Sequence, residues 1–243
     1  MKTLLFIIAL SCGISTTFSQ FAIDVQAKGS ANSTWLLNKN ISDLGASQDY
    51  AMGWGSTYGV AANVYAGIIG LGIEFNYAIH NGAYEGIITE PILNSTIDTY
   101  NSNINLKTLQ IPLLLKFQSQ GGSYIELGPQ LTNISSATYN RSSTYPLSGT
   151  VETEKDVTDE YSKTFISGVL GFGAKIPLGE DFPIGVLIGI RLQYSFGDLM
   201  GVDGYGYSLG SEENPPSSFL YDSHQPTQAV SAGIVIGATY TIK

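Results

Sequence analysis

Positive charge is scarce in this chain: 11 Lys and Arg stand against 20 Asp and Glu, for a formal net charge of −9. Phosphate backbones are recognised by clustered Lys and Arg, so nucleic acid is excluded as a partner. Cysteine occurs once, at Cys12, which leaves no means of building a disulfide framework or a Cys-based zinc site. Histidine occurs only at His80 and His224. No apolar run reaches the ~20 residues that a membrane-crossing helix needs, so any crossing must be made by strands. There is no Gly-rich phosphate loop between a strand and a helix, no zincin motif and no nucleotide fingerprint, and no cofactor is expected.

What is present begins with a leader. Met1-Lys2-Thr3, the apolar run Leu4 to Leu10 and the small-residue end Thr17-Phe18-Ser19 predict a signal peptide over residues 1–19, followed by one domain over residues 20–243. Lipid attachment at Cys12 is the competing use of this segment, but Ala9-Leu10-Ser11 is a poor match to the motif it requires.

The remainder alternates. Eight segments place aliphatic or aromatic residues at every second position, the period of a strand with two unlike faces. Leu71, Ile73, Phe75, Tyr77 and Ile79 oppose Gly72, Glu74, Asn76, Ala78 and His80; Ile184, Val186, Ile188, Ile190, Leu192 and Tyr194 oppose Gly185, Leu187, Gly189, Arg191 and Gln193. Long links, near residues 30–55, 81–105, 140–162 and 198–226, alternate with short ones at Gly67–Gly70, Ser119–Ser123 and Leu178–Pro183. This rhythm predicts an all-β fold, an eight-stranded antiparallel up-and-down transmembrane β-barrel with short periplasmic turns and long extracellular loops.

A soluble ligand-carrying barrel has the same alternation turned inside out, so the polar face decides the orientation. That face collects Asp24, Lys28, Glu74, Lys116, Glu126, Lys175 and Arg191. Three acids and four bases can pair inside a narrow barrel, and they are too few to solvate an outer wall. An eight-stranded barrel has room only for side chains, so a buried ionic plug is expected and a continuous pore is not. A hairpin centred on Gly121 sets Lys116 across from Glu126, and the Gly67–Gly70 turn is read as setting Asn63 across from Glu74. Pro112 lacks a ladder donor and predicts a bulge. Trp54, Tyr58, Tyr100, Tyr194, Phe196 and Tyr205 are expected at the outer headgroup level, with Phe117, Tyr124, Phe182 and Tyr240 at the inner one.

The stretch Leu109-Gln110-Ile111-Pro112-Leu113-Leu114-Leu115-Lys116-Phe117, followed by Tyr124-Ile125-Glu126-Leu127-Gly128-Pro129, resembles the PorT-like outer-membrane β-barrel family of Bacteroidetes. The likeness covers the mature chain in layout and this hairpin in motif. It implies a barrel of a Gram-negative outer membrane, inserted by the outer-membrane assembly machinery, and does not carry over the secretion role of the family's namesake. The chain departs from a common barrel ending, closing on Tyr240-Thr241-Ile242-Lys243, with Lys where an aromatic residue often stands.

Three functional readings follow. The first is a structural or binding role through the external loops, whose Ser, Asn, Thr, Tyr and Gly suit adaptable contact with a protein partner, while lipid and lipopolysaccharide surround the wall. The second is a rim-located lipid-modifying enzyme or protease, which needs His80 and Asp222-Ser223-His224 to converge at the external rim. The third is a narrow channel or secretion accessory. Glu152, Glu154, Asp156, Asp159 and Glu160 form an acidic cluster whose oxygens could bind a divalent cation, although the spacing fits no EF-hand and a solvated loop has the same composition.

Overall fold

Sixteen consecutive residue pairs, from Ile23 opposite Ile242 to Asn38 opposite Thr227, join the first long strand to the last and close the sheet into a ring. The computed structural model describes residues 21–89, 96–143, 152–179, 182–200 and 225–242. Within them lie β1 (Phe21–Asn38), a short helix α1 (Lys39–Leu44), β2 (Asp49–Ala51), β3 (Gly53–Ala66), β4 (Ile69–Thr89) and β5 (Thr96–Gln118). There follow β6 (Ser123–Ser143), β7 (Glu152–Asp156), β8 (Thr164–Pro177), β9 (Ile184–Ser195) and β10 (Thr227–Ile242). The ring runs β1-β3-β4-β5-β6-β8-β9-β10, eight strands with every neighbouring pair antiparallel. β2 pairs with β4, and β7 with β6, as short additions to the wall. No helix among the described residues is long and apolar enough to cross a membrane.

Two turns set the registers. Ala66 pairs with Ile69, so Gly67-Ile68 is a two-residue turn, with Gly67 at φ 64° in the first position, where the right-handed twist of a hairpin favours glycine. Asn63 therefore faces Gly72, and Glu74 faces Ala61, a two-residue correction to the expected Asn63–Glu74 pairing. In the next hairpin Gly122, at φ 88°, carries the turn, and Lys116 lies opposite Glu126 as the spacing requires.

Pro112 does not make a bulge. The register on both of its sides is the same before and after it, while the β4–β5 ladder skips Glu74 and Phe75 and the β5–β6 ladder skips Leu113 and Leu114. With Pro129 nearby on β6, two missing N–H donors open a local gap in the ladders without slipping the strands. The shift in β5–β6 falls instead between Lys107 and Thr108.

Across the lower part of the wall the faces follow the sequence pattern. Leu71 is 68% exposed and Ile234 and Ile236 are each 58% exposed, in a continuous outward band of Val, Ile, Leu and Phe. So much contiguous apolar surface is a lipid-facing one. Tyr58 and Tyr77 pack outward at 5.2 Å between ring centroids, and Trp54 projects outward nearby. Tyr100 and Tyr124 instead point inward and are buried, which removes them from the expected girdles. Tyr205 lies outside the described residues.

Higher up, the polarity inverts. The segments expected as loops over residues 81–105 and 140–162 are largely strand: β4 continues to Thr89, β5 begins at Thr96, and β6 continues to Ser143. Here Asn101, Asn103 and Ser135 face outward, and Tyr84, Tyr100, Ile104, Leu106, Ile134 and Tyr139 face inward. The period of two persists, but the apolar set now fills the interior, as in a soluble barrel. Residues 30–55 likewise contain the top of β1, α1 and β2. Asn38 caps α1 by accepting from the Asn40 amide at 2.7 Å, and the helix delivers Ile41 into the apolar interior.

Candidate functional site

The interior is layered, and each layer follows from which inward positions are charged, amidic or apolar. Nearest the short turns, Lys175 Nζ donates to both Asp24 oxygens at 2.8 and 2.7 Å and lies 2.8 Å from Thr241 Oγ1, whose hydroxyl donates to Asp24 Oδ1 at 2.8 Å. Thr241 completes this triad from the same inward row as the charged residues.

Above it sits a five-membered lattice drawn from β1, β4, β5, β6 and β9. Arg191 donates from Nη1 and Nη2 to the two oxygens of Glu74 at 2.8 and 3.0 Å, and from Nε to Glu126 Oε1 at 2.9 Å. Arg191 Nη2 also contacts Glu126, and Lys28 donates to Glu74. Lys116 pairs with Glu126 at 2.9 Å and lies 3.7 Å from Glu74. Asn76 adds an amide N–H to Glu74 at 3.1 Å. Glu74 is wholly buried, so its two oxygens are held entirely by protein donors. Glycine makes the room: a Cβ at Gly171 would stand 2.7 Å from Glu126 Oε1, and one at Gly72 2.9 Å from Lys116 Cε. Alternating small and large inward positions lets these long side chains meet across the axis.

Over the lattice lies a chamber lined by Thr108, Gln110, Gln130, Thr132, Ser167 and Gln193, with His80 on its wall. Above the chamber, Leu36, Ile41, Tyr84, Ile104, Leu106, Tyr139, Val157 and Leu199 form an apolar cap, each at most 2% exposed. Arg141 stacks over the Tyr100 ring at 4.3 Å from its centroid. The sequence places most of this cap in the long links near residues 30–55, 81–105, 140–162 and 198–226, whose Ser, Asn, Thr and Gly read as loop.

The seven charged residues grouped by the sequence thus fall into two clusters, Asp24 with Lys175, and Lys28, Glu74, Lys116, Glu126 and Arg191 together. His80 is not at the external rim. It is buried inside the wall with Nε2 3.0 Å from the Trp35 carbonyl, because β4 runs nine residues beyond it. Asp222, Ser223 and His224 lie outside the described residues. Glu154 and Asp156 sit on β7, and Asp159 and Glu160 on the short turn after it; Glu152 begins β7 opposite Arg141. Asp156 accepts from the Thr158 hydroxyl at 2.6 Å and its amide at 2.9 Å. Among the described residues no three acidic, His or Cys side chains converge on a metal position.

No family model matches the chain, and no curated protein matches it. Solved structures resemble it in outline. Neisserial surface protein A (NspA) is 11% identical with a TM-score of 0.44, over 90% of this chain and 97% of that one. The outer membrane protein OprG from Pseudomonas aeruginosa is 15% identical with a TM-score of 0.39, over 91% and 95%. Ail, the attachment invasion locus protein of Yersinia pestis, solved with the heparin analogue sucrose octasulfate, is 9% identical with a TM-score of 0.38, over 91% and 98%. The chain's own seam, lipid-facing band and enclosed charges make it a transmembrane β-barrel of the bacterial outer membrane.

Proposed function

We propose that this outer-membrane barrel conducts nothing and acts through what it displays outside the cell, as a structural or binding protein. The observation that carries the reading is the double closure of its lumen, an ionic lattice below and an apolar cap above. A wall that continues as folded strand above the lipid band also supports it, since such a wall is a firm mount for the links at its top. Lipid and lipopolysaccharide surround the band, the assembly machinery inserts the chain after export by the leader over residues 1–19, and a protein partner meets the outer links. The hairpin formed by Leu109–Phe117 and Tyr124–Pro129 favours placing the chain among the PorT-like barrels of Bacteroidetes.

Single-channel recording in planar bilayers tests the reading. The unmodified protein is expected to give a silent baseline, and a steady ion current of uniform step size overturns the proposal.

A further inference from the structure

The lattice does not balance. Lys28, Lys116 and Arg191 bring three positive charges to the two carboxylates of Glu74 and Glu126, and Asp24, nearer the short turns, is matched by Lys175. A buried cluster with net charge is strongly disfavoured, and it is relieved either by a proton leaving Lys28 or by a counter-ion taken in. The spare donors can be located. Arg191 commits Nε, Nη1 and Nη2 to Glu74 and Glu126, whereas the Lys28 ammonium has three N–H groups and donates to Glu74 alone.

Beside Lys28 is a small cavity lined by Lys28, Ser30, Thr57, Asn76, Arg191 and Gln193, with room for about one water-sized sphere. Thr57 Oγ1 accepts from Asn32 Nδ2 at 3.1 Å, which leaves its own hydrogen for the cavity side. The Ser30 hydroxyl offers another donor. One buried acceptor, Asn76 Oδ1, has no partner and also borders this space. Donors and surplus positive charge outweigh it.

From this juxtaposition we propose that the cavity between Lys28, Ser30, Thr57 and Arg191 binds one small monovalent anion of chloride size, which neutralises the lattice. The inference goes beyond the outward-acting role and stands on the lumen geometry alone.

Crystals of the full chain grown in bromide test it directly. One anomalous peak beside Lys28 Nζ is expected, and water density there without an anomalous signal overturns the proposal. In detergent, the unfolding temperature of the unmodified protein is expected to rise with chloride and saturate, relative to gluconate at equal ionic strength, while Lys28→Met, which removes the surplus charge, loses the difference. Equal unfolding temperatures of the unmodified protein in the two salts overturn it too. Should Lys28→Met fail to fold, the bromide map and the salt comparison on the unmodified protein still decide.

Discussion

Arg191 on β9 grips Glu74 on β4 across the lumen through two parallel N–H···O bonds of 2.8 and 3.0 Å. The planar fork of guanidinium against carboxylate fixes both side chains at once, which a point-charge lysine cannot do. Since Glu74 also holds Lys28 and borders Lys116, it is the acid on which the lattice turns.

Removing it strands buried cations. Glu74→Gln is expected to cost about 3–5 kcal/mol of folding stability, measured by urea unfolding in lipid vesicles. The double variant Glu74→Met, Arg191→Met should cost less than the two single changes added together, because the pair is removed whole. Additive losses would show that the two residues do not act as a pair.

The boundary of the lipid band can be mapped on one strand. Leu113 and Asn101 both face outward on β5, the first within the apolar band and the second above it. Leu113→Lys should destabilise by about 2–4 kcal/mol, and Asn101→Lys by less than about 1, in vesicle folding titrations. Similar costs at the two sites would place both in the same medium.

Truncation in the cap should act locally. Leu106 is buried at 1% exposure among apolar neighbours, so Leu106→Ala is expected to cost about 2–5 kcal/mol of local stability. Hydrogen exchange should quicken at the upper ends of β4, β5 and β6 and stay slow in the lipid band. Uniform quickening along those strands would mean that cap and band open as one unit.

The acidic segment has its own pH signature. The Thr158 hydroxyl and then its amide hold the Asp156 carboxyl below the ordinary value of 3.8. A depressed folded value means that the interaction is complete above the ordinary carboxylate range and is lost as pH falls through the lowered one. The same Thr158 hydroxyl accepts from the Ala137 amide at 2.9 Å, linking the turn after β7 to β6. The Thr158 amide resonance should therefore titrate below the ordinary aspartate range, and Asp156→Asn should abolish that titration; a midpoint at the ordinary value would rule the linkage out.

Eight strands, their lipid-facing rows and the Lys116–Glu126 register were legible because alternation and a glycine turn speak for themselves. The Asn63 register was misread by two residues because two glycines, Gly67 and Gly70, could each have carried the turn, and only the backbone chooses Gly67. The upper wall reads as loop in the sequence for a physical reason: its Ser, Asn, Thr and Gly are the residues of loops, and alternation reports two unlike faces but not which solvent bathes each. Tyr84, Ile104 and Leu106 alternate as regularly as Ile73 and Leu113 do, yet they face the opposite way. The polar partners Asn and Ser at 81, 101, 103 and 135 carried the signal, since a lipid-exposed row would not contain them.

That reversal makes one wall answer to two solvents. A detergent micelle would grip only the lower belt, leaving the asparagine-studded stretch above it bare. Antibodies raised against the solubilised particle would then meet the same surface that the living cell presents, with no need to strip the belt away.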